Sequence, residues 1–133
     1  MRFIAIPKLV VLTAALAWLC PALAHAQDTQ QGERIFKAQC AACHTVEPGK
    51  NKIGPSLAGV VGRESGSVQG FNYSPAMKSA HVTWTEDNLE KYLEKPSGFI
   101  PGNKMTYVGL KSDKQREAVI DYLKTIKQQA QVK

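Results

Sequence analysis

Two thiols and an imidazole stand together in the run Cys40-Ala41-Ala42-Cys43-His44. On a helical turn, side chains three positions apart share a face. Each thiol can then add to one vinyl group of a porphyrin, and the next residue sets an imidazole under the iron. Cys-x-x-Cys-His is the attachment signature of a c-type haem. Cys-x-x-Cys alone also serves redox disulfides and zinc sites. Haem is selected here because the His follows directly, the chain begins with an export signal, and a thioether, Met105, lies far downstream. Zinc would need further ligands, and His44, His81 and two thiols are poorly spaced for it.

The elements that must position these groups fit one domain. The chain has 133 residues. Arg2 and Lys8 supply a positive start, Leu9 to Leu19 an apolar run, and Ala24-His25-Ala26 a small-x-small cleavage site. Residues 1–26 therefore read as a secretory signal, and 27–133 as the mature domain. The apolar run, bounded by Pro7 and Pro21, is short for a spanning helix, which needs about 20 apolar residues. Cleavage removes Cys20 and leaves Cys40 and Cys43. It also removes Arg2 and Lys8, so 17 basic groups become 15 against 11 acidic ones, a formal charge of +4. That mild excess suits an acidic protein partner better than nucleic acid, which calls for a denser basic stripe. A domain of this size buries only about two-thirds of its surface, so a covalently held haem would supply the centre of its core.

The periodicity is helical, and no alternation is long enough to build a sheet. A first helix is expected from Asp28, with Gln31 completing a capping box, to about Ala42. Gly32 within it would cost about 1 kcal/mol against Ala, unless another backbone approaches there. Residues 45–70 read as a glycine-punctuated loop. Ser74-Pro75 opens a short helix, with Ser as cap and Pro in the first turn. A helix from Thr85 to Lys95 follows, with Leu89, Tyr92 and Leu93 on its apolar face and Pro96 ending it. Residues 97–110 form a loop containing Met105. The last helix runs from Ser112, with Gln115 in capping-box position, to about Gln128. The fold class expected is all-α, with four to five helices and long loops wrapped around a covalently bound haem c.

With His44 and Met105 in view, the chain resembles the class I cytochromes c, and within them the mitochondrial-type small cytochromes also found in bacteria. The resemblance rests on Gly32 and Phe36, Cys40-x-x-Cys43-His44, Gly54-Pro55, Gly62-Arg63, Gly70-Phe71-Asn72-Tyr73, Thr83-Trp84 and Tyr92-Leu93-Glu94. It continues through Ile100-Pro101-Gly102-Asn103-Lys104-Met105 to Tyr122-Leu123, covering nearly all of the mature domain. It implies thioether attachment at Cys40 and Cys43, His44 as proximal ligand and Met105 as distal ligand. It implies that the Pro55 carbonyl accepts a hydrogen bond from the other His44 nitrogen, and that Arg63, Tyr73 and Trp84 bond around the buried propionates. Tyr92 would sit near the Met105 sulfur. Gly32 and Phe36 would meet Val119 and Tyr122 where the terminal helices cross. The sequence departs from the family at Met77, where a small polar residue is usual, at Asn103, often Thr, and at Tyr107, often Phe. Gln39 and Ser97 replace two lysines of the family's surface ring.

Taken alone, Met105 also fits as core filler, Arg63 as a solvated loop charge and Tyr73 and Trp84 as packing; His81, in a polar turn, reads as a surface residue. With both axial positions filled by protein, the expected function is a periplasmic one-electron carrier, and His/Met ligation raises the potential. The alternative is a haem c protein with peroxidase activity, which needs an open distal position and an acid–base group beside it. Expected partners are redox proteins with acidic docking surfaces, approaching over a haem edge that, as the resemblance implies, Arg34, Lys52, Lys104 and Lys111 would surround. Neither nucleic acid nor stable membrane insertion after signal cleavage is expected, and the protein is read as a monomer.

Overall fold

A computed structural model describes residues 22–127, with side chains from Asp28 onward. Five helices are present among the described residues: α1 (Ala22–Gln39), α2 (Pro75–Ser79), α3 (Glu86–Glu94), α4 (Pro96–Phe99) and α5 (Asp113–Thr125). The β-structure among the described residues is an isolated antiparallel bridge between Glu64 and Thr83. The fold is all-α. No helix among the described residues is long and apolar enough to cross a membrane. The expected signal, up to Pro21, and the helix end expected at Gln128 lie outside the described residues.

Local chemistry starts most of these helices. Ser74 accepts a hydrogen bond from the Met77 amide at 3.1 Å, with Pro75 in the first turn of α2. Thr85 accepts from the Asn88 amide at 3.2 Å, and Glu86 and Asp87 place negative charge at the positive end of α3. That helix stops at Glu94 because Pro96 disfavours helical backbone at the residue before it. Lys95 is accordingly extended, at φ −156° and ψ 85°. Pro96 then opens α4, so a short helix replaces the first part of the expected loop.

Two capping boxes expected from sequence do not form. The helix α1 begins at Ala22, which puts Asp28 inside it rather than at its start. It ends at Gln39 rather than Ala42, although the next turn keeps helical bonds from Cys40 N–H to Phe36 O and from His44 N–H to Cys40 O. Ser112 is the N-cap of α5 by position, but its side chain makes no capping bond. In that corner the guanidinium of Arg116 bonds the Leu110 carbonyl at 2.6 Å, Asp113 at 2.6 Å and Glu90. Its side chain is only 7% exposed, so these partners are what make a buried positive charge tolerable.

The frame of the molecule is the crossing of α1 and α5. A Cβ on Gly32 would lie 1.9 Å from the Ala118 carbonyl oxygen and 2.7 Å from Tyr122 Cβ, so only glycine lets the helices meet. Beside it the rings of Phe36 and Tyr122 pack with centroids 5.6 Å apart. The partner of Gly32 is thus Ala118 with Tyr122. Val119, the next residue along α5, is buried in the same core cluster as Phe36, with Ile120 and Leu123. Each such aliphatic side chain contributes about 1.5–3 kcal/mol by leaving water.

Candidate functional site

The loops between α1 and α3 and between α4 and α5 enclose a cavity of about 420 Å³. Cys40, Cys43, His44, Pro55, Arg63, Tyr73, Trp84, Tyr92 and Met105 all line it. The structure therefore brings every site residue expected from sequence to one place. His81 is not among the lining residues; it is exposed on the surface and bonds Glu64 at 3.1 Å.

The attachment turn is held from both sides. Gly54 N–H donates to the Cys43 carbonyl at 2.8 Å, and Lys52 Nζ donates to the Ala41 carbonyl at 2.7 Å. Burial pushes the free Cys40 thiol up to about 11, with the neighbouring Cys43 adding to the effect. The His44 imidazole is fixed by Nδ1, which donates to the Pro55 carbonyl at 2.8 Å. Nε2 then keeps its lone pair, the state a metal ligand requires. Burial lowers the His44 pKa, and the bond to Pro55 opposes that shift. A Cβ on Gly54 would lie 2.3 Å from His44 Cε1, so the glycine is what makes room for the ring.

The thioether is placed with equal care. Tyr92 donates its hydroxyl to Met105 Sδ at 3.3 Å. Burial pushes the Tyr92 phenol up to about 12, which keeps it a donor. Its ring packs on Trp84 at 4.8 Å and on Phe99 of α4 at 6.1 Å. Asn103 accepts from the Met105 amide at 2.8 Å and donates to the carbonyls of Pro96 and Ile100 at 2.9 and 2.7 Å. Tyr107 donates to Gln39 at 2.7 Å. Met77 is buried in the core and also lines the cavity.

Arg63 is the charged wall. Nη1 and Nη2 donate to the carbonyls of Ala58 and Ser56 at 2.8 and 3.0 Å, while Nε is buried with no partner from the protein. Burial lowers the Arg63 pKa, and nearby Tyr73 counters this. Tyr73 is raised by burial, against a backbone bond at Val68 and the charge of Arg63. A buried guanidinium with an unused donor, on a residue that lines an apolar cavity, fits an anionic group on a bound ring. Two thiols, an imidazole and a thioether on the same walls fit the rest of a haem. Among the described residues no three or more His, Cys, Asp and Glu side chains gather as a metal site, which leaves zinc without a donor set.

Sequence reasoning gave no role in the site to Gly54, to Asn103 or to the pair Gln39–Tyr107, although Asn103 and Tyr107 stood out near the pocket as departures from the family. The first had a signal in the Gly54-Pro55 dipeptide. The second had one in its turn, since Asn side chains commonly bond neighbouring backbone. The third joins residues 68 positions apart, which no local pattern encodes.

A helical cage that presents these four groups to one cavity defines a c-type haem protein. The family model described as "Cytochrome c" matches residues 29–127. Cytochrome c2 of Rhodomicrobium vannielii is 48% identical over 119 residues, covering 89% of this chain and 94% of that protein. Cytochrome c of Gibberella zeae is 50% identical over 98 residues, 73% of this chain and 92% of that protein. Among solved structures, cytochrome cH from Methylobacterium extorquens superposes with a TM-score of 0.69 at 38% identity, covering 74% of this chain and 98% of that one. The chain belongs to the cytochrome c family, as a class I member. It is an electron-transfer protein rather than an enzyme, and it carries one haem c attached covalently through Cys40 and Cys43.

Proposed function

We propose that this protein is a periplasmic one-electron carrier whose iron is ligated by His44 and Met105. The observation that carries this reading is the pairing of two fixed donors on one cavity: His44, turned by the Pro55 carbonyl, and Met105, bonded at Sδ by Tyr92. Haem c supplies a metal centre that gains and loses one electron. The protein's part is to hold the same two ligands in both redox states and to keep water from the metal. A soft thioether favours the reduced state and raises the potential. Arg63, whose Nε has no protein partner, would bond a buried propionate, with Tyr73 and Trp84 also on the cavity wall.

Partners with acidic surfaces would approach at the cavity mouth. Lys104 lines the cavity and makes no ion pair among the described residues. Lys52 and Lys111 lean on the carbonyls of Ala41 and Glu94, and Arg34 leans on Gln30; these bonds are to uncharged groups, although Lys52 also lies within reach of the Glu47 charge. Export fits the signal in residues 1–26, and cleavage after Ala26 would keep α1 from Gln27 onward. A reduced-minus-oxidised spectrum with potentiometric titration tests the redox reading: one reversible electron at a raised potential is expected. A high-spin ferric spectrum without a Met-to-iron charge-transfer band would overturn it. Intact mass from the periplasmic fraction should equal residues 27–133 plus one haem; a membrane-bound form retaining 1–26 would overturn the location.

A further inference from the structure

The segment carrying Met105 is fastened at several points, one of them the bond from Tyr92 of α3 to Met105 Sδ. The Asn103 side chain makes three hydrogen bonds, to the Pro96 and Ile100 carbonyls and from the Met105 amide. All of these partners lie between Pro96 and Met105, so the bonds give α4 and the ligand loop a common shape without tying them to the rest of the molecule. The C-terminal end of the loop is moored on α3. Leu110 N–H donates to the Leu93 carbonyl at 2.7 Å, and a Cβ on Gly109 would sit 2.0 Å from the Glu94 oxygen. The outer side is joined by the bond from Tyr107 to Gln39. Gln39 is the last residue of α1 and immediately precedes Cys40, and both bonded residues line the cavity. This bond therefore spans from the chain segment that carries the thiols to the one that carries the thioether.

We propose that Tyr107 and Gln39 are positioning residues that latch the Met105 segment across the haem crevice, so that their hydrogen bond sets how readily Met105 gives up the iron to an outside ligand. The inference rests on Met105 being the distal ligand. Opening swings the segment on its mooring at α3 and breaks the Tyr107–Gln39 bond together with the bond from Tyr92 to Met105 Sδ, while the bonds of Asn103 travel with the segment. An outside ligand binds only the open form, so its apparent rate scales with the open fraction. Losing one intramolecular hydrogen bond of ordinary strength raises that fraction about two- to tenfold.

The test is imidazole binding to the ferric holoprotein, followed by stopped flow. Tyr107→Phe and Gln39→Leu should each speed binding about two- to tenfold. Gln39→Glu keeps an acceptor for the Tyr107 hydroxyl and should bind at the wild-type rate. The double variant Tyr107→Phe/Gln39→Leu should be no faster than either single one, because both remove the same bond. Wild-type rates in both single variants, or effects that multiply in the double variant, would overturn the latch. Met105→Ala separates the two readings. If its ferric spectrum matches wild type, Met105 is not the ligand and the latch falls with it. If the charge-transfer band is present in wild type and lost in Met105→Ala, the ligand stands and the rates alone decide the latch.

Discussion

Two glycines mark two regions built on opposite terms. At Gly32 the missing side chain admits a backbone, that of Ala118 in α5. At Gly54 it admits an imidazole, that of His44. Around the first, the chain completes itself: Phe36 packs on Tyr122, Val119 is buried, and Arg116 is matched by Glu90, Asp113 and the Leu110 carbonyl. Around the second, the chain stops short of completion, with His44 turned toward a cavity and Arg63 Nε unpartnered in its wall. The difference teaches that stability is concentrated where helices meet and redox properties where loops face the cavity. Substitutions in the two regions should therefore be read out by different measurements.

The largest effect is expected at the crossing. Gly32→Val would force α1 and α5 apart and cost about 3 kcal/mol or more. Denaturant unfolding should show this loss, while the folded fraction keeps the wild-type visible spectrum. A variant as stable as wild type would break the comparison. Met105→Ala is the counterpart at the cavity. Haem should stay attached, the charge-transfer band should vanish, and peroxidase activity should rise. The potential should fall by a substantial part of the roughly 0.8 V that axial ligation spans. Potentiometry and a peroxide assay measure these, and an unchanged potential would remove Met105 from the iron.

Arg116→Met sharpens the contrast because it alters charge without touching the cavity. It should cost about 2 kcal/mol: it leaves the Leu110 carbonyl short of its donor, but Glu90 and Asp113 retain access to water. Thermal unfolding should register that cost while the potential stays at its wild-type value. The smallest effect is expected at the rim. Lys104→Glu should slow electron transfer to an acidic partner at low salt by less than about tenfold, with melting temperature and potential unchanged. Rim charges act mainly on encounter, so rates measured against ionic strength give the answer, with Lys133→Glu as the control. Equal slowing by both would make the effect one of net charge.

What could be read from sequence follows the same division. Cys40, Cys43 and His44 were legible because attachment chemistry fixes their spacing, and Ser74-Pro75 because cap and first-turn preferences act locally. The interior of α3 and α5 followed from apolar periodicity. Helix ends were less legible, because a cap is defined by where the backbone turns and not by residue type. Asp28 has the right side chain, but the backbone is already helical upstream of it. Ser112 stands in the cap position while Arg116 takes the Leu110 carbonyl in the same corner. The four residues of α4 are too few for a period to show. That the Ala118 backbone lies nearest Gly32 depends on helix rotation, which a stripe of apolar residues fixes only to within a position.

The crossing of α1 and α5 also bears on the order of assembly. It pairs the first described helix with the last, so a chain that emerges from its N-terminus cannot make this contact until nearly all of it has been delivered. Closing so long a loop is slow relative to local turns. Cys40 and Cys43 emerge early and lie on the segment that the crossing later fixes. During delivery they belong to an open chain, in which both thiols are accessible. The late contact thus gives covalent attachment a natural interval before the walls of the cavity come together.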